Sequence, residues 1–198
     1  KMTINTKTLA AIDIGTNAIR LFISNVEEYP TETLFKKIAF LRVPIRLGED
    51  VFTTGEIGQQ KGKRLCETMQ GFSYIMSAFN VESYKAYATC AMREARNGKS
   101  VAEQIQKECD LNIEIISGTK EAETIFAGGM NEVVDDDKTY LYVDVGGGST
   151  EVIVYSKSVK VEACSFPLGT VRMLNDAVDK EEMKHFKKWL KNITERFK

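Results

Sequence analysis

Two short glycine turns, each preceded by an aspartate, carry the residue types in this sequence best suited to holding an anion beside a metal. The first is Asp13-Ile14-Gly15-Thr16-Asn17 and the second Asp144-Val145-Gly146-Gly147-Gly148-Ser149. Small residues let consecutive backbone N–H groups converge on an anion with no Cβ in the way. Thr16, Asn17 and Ser149 add side-chain donors. The aspartate before each turn can hold a divalent cation, directly or through water, beside that anion. Arg20 follows the first turn on an otherwise apolar strand, where its charge needs either a phosphate or a carboxylate partner. Glu151 occupies the matching place after the second turn. Arg93 follows the small residues Ala88-Thr89-Cys90-Ala91-Met92, read as a strand end that a ligand can approach closely. Glu121 lies at a helix opening just after Ser117-Gly118, where a carboxylate is either a dipole-stabilising surface residue or a positioned base.

The elements that must position these groups follow from periodicity. Leu9–Ile14 and Ala18–Val26 read as strands joined by the first turn, and Leu34–Val43 as a third. Ile57, Leu65, Met69, Phe72, Ile75, Met76 and Phe79 mark one face of a helix over Glu56–Phe79. A strand at Tyr84–Ala88 follows, then a helix opened by a Ser100/Glu103 capping pair, then a strand at Asn112–Ile116. Thr119 is the expected cap of the next helix, and Asp135–Asp137 a solvated loop. Tyr140–Val145, Glu151–Tyr155 and Val159–Phe166 read as three more strands. A last helix from about Asp179 is expected to bury Met183, Phe186, Leu190, Ile193 and Phe197. The order mixes hairpins with crossovers, so the class is α/β.

Asp144 follows Asp13 by 131 residues, and at the same offset Ile12–Asn17 aligns with Val143–Gly148 and Leu21–Ile23 with Val152–Val154. A matched strand, turn and returning strand implies two lobes on one plan, their turns facing each other across a cleft.

Composition narrows the rest. With 27 Lys and Arg against 28 Asp and Glu in 198 residues, the chain is neither a globally basic nucleic-acid binder nor an acidic tail. No apolar run reaches the roughly 18 residues of a membrane span. Cys66, Cys90, Cys109 and Cys164 form no C-x-x-C pair, and the lone His185 does not complete a zinc set. They read as buried thiols in a reducing compartment of a soluble, intracellular protein. The lysines of 184–198 and the Lys61, Lys63, Arg64 cluster read as solvated faces, and Trp189 as a core or lobe-contact residue.

The paired D-x-G hairpins resemble those of the actin, sugar kinase and heat-shock ATPase superfamily. Five ordered motifs resemble one branch, the exopolyphosphatase and guanosine pentaphosphate phosphohydrolase (Ppx/GppA) family. They are Ala11–Leu21, Ala88–Ala95, Ile116–Glu123, Val143–Glu151 and Pro167–Arg172. The resemblance implies an actin-like, ribonuclease H-like fold, with a first lobe at 1–117 and an incomplete second lobe at 118–198. It implies a cytoplasmic enzyme that releases terminal phosphate from linear polyphosphate, guanosine pentaphosphate or both, with neither DNA nor membrane as partner. By the same resemblance Glu121 is the general base, and Asp144 and Glu151 hold Mg²⁺. Thr16, Asn17, Gly147, Gly148 and Ser149 then bind phosphate with Arg20 and Arg93, and the full-length protein is a homodimer. Lys120 and Cys90 depart from the family pattern, at positions where a carboxylate and a hydroxyl are common. Two rivals stand beside this reading: a non-hydrolytic binder that regulates a partner, and an actin-like ATPase or kinase. Because the chain stops at Lys198 within a helical pattern, the 198 residues alone are expected to bind phosphate poorly and turn over little.

Overall fold

The computed structural model describes residues 5–127, 138–156 and 159–197, so the Asp135–Asp137 loop lies outside the described residues. Strands β1 (Asn5–Ile14), β2 (Ile19–Glu28) and β3 (Thr33–Val43) form an antiparallel meander, while β4 (Ser83–Ala88) and β5 (Glu114–Ile115) add on in parallel. The sheet order is β3-β2-β1-β4-β5. A parallel neighbour for β1 requires a crossover. It runs through α1 (Leu47–Thr54) and α2 (Gln59–Ala78), and α3 (Cys90–Glu94) and α4 (Gly98–Cys109) follow β4. The alternation Ala10, Ile12, Ile14 on β1 and Ile19, Leu21, Ile23 on β2 buries one sheet face. Leu65, Met69, Phe72 and Met76 of α2 and Val101, Ile105 and Cys109 of α4 pack against it. Each such side chain contributes about 1.5–3 kcal/mol by leaving water.

The second sheet is an antiparallel meander of β6 (Thr139–Val145), β7 (Thr150–Ser156) and β8 (Val159–Phe166). Helix α5 (Gly118–Ala127) covers one face, where Ala122 meets Ile153 and Tyr155. After α6 (Thr170–Leu174), α7 (Lys180–Arg196) covers the other through Met183, Phe186 and Trp189 against Val152, Phe166 and Leu168. Being central, β7 is buried on both faces, which explains its continuous apolar run Val152–Tyr155. Trp189 is half-buried: it stacks edge-on against Phe166 and donates its indole N–H to Glu162 at 2.8 Å.

The repeat holds to the residue. β1 ends at Ile14 and β6 at Val145, while β2 starts at Ile19 and β7 at Thr150, each pair 131 apart. Both turns close alike, with Gly15 N–H donating to the Ala18 carbonyl at 3.2 Å and Gly146 N–H to the Ser149 carbonyl at 2.8 Å.

Several local expectations are corrected. Residues 90–94 form helix α3 rather than a continued strand, and α1 and α6 are helices the periodicity did not indicate. Ser100 lies inside α4, whose N-cap is Asn97, so no Ser100/Glu103 capping pair forms. Ser117, not Thr119, caps α5: its hydroxyl accepts the Lys120 N–H at 3.2 Å and its carbonyl the Glu121 N–H at 2.9 Å. Within α7 only Ile193 is fully buried, because one helix over one face of a three-stranded sheet covers a stripe. All four cysteines are free; three are buried and Cys164 is half-buried. No helix among the described residues is long and apolar enough to cross a membrane.

Candidate active site

The short helix that follows each meander holds that meander's turn. The Thr16 and Asn17 carbonyls accept N–H groups from Gly48 and Arg46 at 3.0 and 2.9 Å, at the start of α1. In the second lobe the Gly146 carbonyl accepts from Thr170 N–H at 3.0 Å, and the Gly147 carbonyl from Val171 and Arg172 N–H at 2.8 and 3.1 Å, in α6. With their carbonyls tied back, the turns leave the N–H groups of Thr16, Asn17, Gly147, Gly148 and Ser149 without a partner among the described residues. Amide groups of folded proteins rarely stay unpaired, and a run of them on adjoining turns is an anion cradle.

The two turns also meet. A Cβ on Gly147 would lie 3.1 Å from Thr16, and one on Gly148 would overlap Cys90 and come within 2.8 Å of Phe52. Gly169 crosses so close to Gly147 that its Cβ would strike the Gly147 backbone. Glycine here serves close approach between lobes as well as room for a ligand.

Both turns line one cavity of about 700 Å³ together with Asp13, Arg20, Glu121, Asp144 and Glu151. The paired strands place Asp13 opposite Arg20 and Asp144 opposite Glu151. Arg20 is ion-paired to Asp13, so its charge is satisfied within its own hairpin. Glu151 is 2% exposed and accepts a hydrogen bond from the Ser165 hydroxyl at 2.8 Å. Burial pushes the Glu151 and Asp13 carboxyls up; the Ser149 and Ser165 hydroxyls counter this at Glu151, and Arg20 at Asp13, while the Asp144 charge adds to the rise at both. Glu121 is raised further, to about 7, by burial first and by the Glu151 charge, against the pull of Arg93. The Arg93 guanidinium donates to the Ile116 carbonyl at 2.8 Å and to Glu121 at 3.4 Å. Its side chain faces a neighbouring cavity of about 340 Å³, which shares Ser149 with the main one. A larger groove of about 900 Å³ between α2 and α4 lies on the far side of the first lobe, away from both turns.

The acidic side chains are hard oxygen donors whose mutual repulsion a cation would relieve. Among the described residues no three His, Cys, Asp or Glu side chains converge into a metal cage. Mg²⁺ normally takes one or two carboxylates and fills its octahedron with water and phosphate oxygens, so Asp144 and Glu151 suit it in that form.

The structure therefore brings Glu121, Thr16, Asn17, Arg20, Gly147, Gly148, Ser149, Asp144 and Glu151 to one cavity, and sets Arg93 behind Glu121. Sequence reasoning gave no role to Arg172, the one arginine buried among the described residues. It is 8% exposed, donates through Nε to the Gly148 carbonyl at 2.9 Å, and pairs with Glu94 at 2.6 Å. The signal available was its place in the Pro167–Arg172 motif.

Residues 22–198 match the model of the Ppx/GppA phosphatase family. Exopolyphosphatase 2 of Mycobacterium tuberculosis is 28% identical over 170 residues, covering 83% of this chain and 53% of that protein. The bifunctional 3-dehydroquinate synthase/phosphatase of Fusobacterium nucleatum is 32% identical over 168 residues, 83% of this chain and 25% of that protein. The crystal structure of an exopolyphosphatase from Cytophaga hutchinsonii superposes with a TM-score of 0.77 at 29% identity, covering 86% of this chain and 53% of that one. The Aquifex aeolicus member of the Ppx/GppA family gives 0.74 at 25% identity, covering 95% and 61%. The chain spans about half the length of most of these relatives and shares the fold of the Ppx/GppA structures.

Proposed function

The chain belongs to the Ppx/GppA phosphatase family, and from that premise we propose that it forms the catalytic cleft of a phosphohydrolase acting on the terminal phosphate of polyphosphate or guanosine pentaphosphate. The observation that carries the reading is the set of five unpartnered turn N–H groups lining one cavity with Glu121. Such groups bind the terminal phosphate and meet the charge that develops on its oxygens, the main demand of phosphoryl transfer. Glu121, poised near neutrality, takes a proton from the attacking water as the water oxygen bonds to phosphorus and the phosphoanhydride bond breaks. Arg93 holds the Glu121 carboxylate in place and draws its pKa back down. Mg²⁺, held by Asp144 and Glu151, would supply charge neutralisation of the phosphate chain. The lobes divide near residue 117, consistent with α5 packing on the second sheet.

The test is phosphate release from each substrate with Mg²⁺, by the intact protein and by Glu121→Gln. Release that depends on Glu121 supports the reading. Tight binding of both substrates by the intact protein without release would turn it into a binder and refute the hydrolase.

A further inference from the structure

Arg172 is buried, at 8% exposed, and its guanidinium is engaged through Nε, through Nη2 and over its face. Nε donates to the Gly148 carbonyl at 2.9 Å, Nη2 lies 2.6 Å from Glu94 and 3.4 Å from Cys90 Sγ, and the plane stacks 4.1 Å from the centre of the Phe52 ring. Glu94 and Phe52 belong to α3 and α1 of the first lobe, and Gly148 to the turn of the second. A buried ion pair is by itself weak evidence for stability, since a well-packed apolar pair of similar volume often serves as well. What an apolar pair lacks is a donor for the Gly148 carbonyl. That bond fixes which way the Gly148–Ser149 peptide points, and a carbonyl held toward Arg172 turns the N–H of Ser149 to the opposite side, Ser149 itself lining the cavity.

We propose that Arg172 is a positioning residue. Anchored on the first lobe by Glu94 and Phe52, it holds the second phosphate turn at the angle from which its N–H groups reach the terminal phosphate. The inference rests on the reading of this cleft as a phosphate site. Lysine cannot replace it, because one ammonium does not stack on Phe52 while donating along two separated directions.

Tripolyphosphate binding, measured by calorimetry on the intact protein in a Glu121→Gln background, reads the role without turnover. Arg172→Met and Arg172→Lys should each weaken binding by about tenfold or more, the scale of a lost charge-assisted hydrogen bond. Added guanidinium should restore part of the affinity to Arg172→Ala and leave the parent unchanged. Glu94→Gln, which keeps an acceptor but not the charge, should fall between, and it carries the test if the Arg172 variants do not fold. Cooperatively folded variants that bind with the parent's affinity, differing only in melting temperature, would show Arg172 to be a structural tie and overturn the proposal. If the parent binds tripolyphosphate and the variants do not, while the intact protein with Glu121 unchanged releases no phosphate, the positioning role stands and the hydrolase reading falls.

Discussion

Glu121→Gln should make the protein more stable while removing its activity. In the folded protein the Glu121 carboxyl rises from 4.5 to about 7, chiefly because burial strips water from the charged form, its side chain being 17% exposed. That rise corresponds to a penalty of about 3 kcal/mol on the ionised form. The folded state holds this proton more tightly than the unfolded chain does. The associated stability is therefore complete below about pH 4.5 and is lost as pH rises through about 7. A neutral glutamine of the same shape escapes this penalty, which is already net of the attraction to Arg93. The gain at pH 8 should be about 3 kcal/mol, or about 6–12 °C in melting temperature for a chain of this size. Melting curves recorded with a chelator present, so that no divalent cation masks the carboxylates, are the assay. The gap between Glu121→Gln and the parent should be several degrees at pH 8 and close to zero at pH 4.5. A gap of equal size at both pH values, or a less stable variant at pH 8, would refute the burial argument.

Other outcomes follow from the same geometry. Gly148→Ala drives a Cβ into Cys90, Phe52 and Thr16, and should cost about 1–3 kcal/mol by chemical denaturation and weaken pyrophosphate binding. Gly71→Ala, in mid-α2 with open space around it, should instead stabilise by about 0.5–1 kcal/mol. Arg93→Gln removes a group that lowers the Glu121 pKa, so the acidic limb of the pH–rate profile should move to higher pH. Leu21→Ala, at a fully buried position of β2, should cost about 2–5 kcal/mol in urea melts.

The twin hairpins were legible because strand, turn and returning strand are local, and a repeat at fixed offset survives any later packing. Glu121 was legible only through its motif; spacing alone favoured a surface carboxylate, and what decides its character is burial beside Glu151, set by tertiary structure. The helices α1, α3 and α6, of 8, 5 and 5 residues, complete too few turns for a 3.6-residue period to emerge. Arg20 shows the opposite limit. The need for an anionic partner was plain, but the choice of Asp13 depends on a register that pairs residues across the hairpin. Arg172 and Glu94 lie 78 residues apart, and no local pattern announces such a pair.

The central claim is that Glu121 activates water against a phosphate held by the two turns. Its most direct test is the pH dependence of kcat/KM for phosphate release from polyphosphate in ¹⁸O-labelled water, with Mg²⁺, for the intact protein and Glu121→Gln. The account predicts one labelled oxygen in each released phosphate and an acidic limb set by Glu121 at or below about pH 7, because Mg²⁺ offsets the Glu151 charge that helps raise Glu121. It also predicts a loss of about 10²–10⁴-fold in the variant, the usual contribution of a general base. Phosphate released without label, or at the same rate by Glu121→Gln, would contradict it.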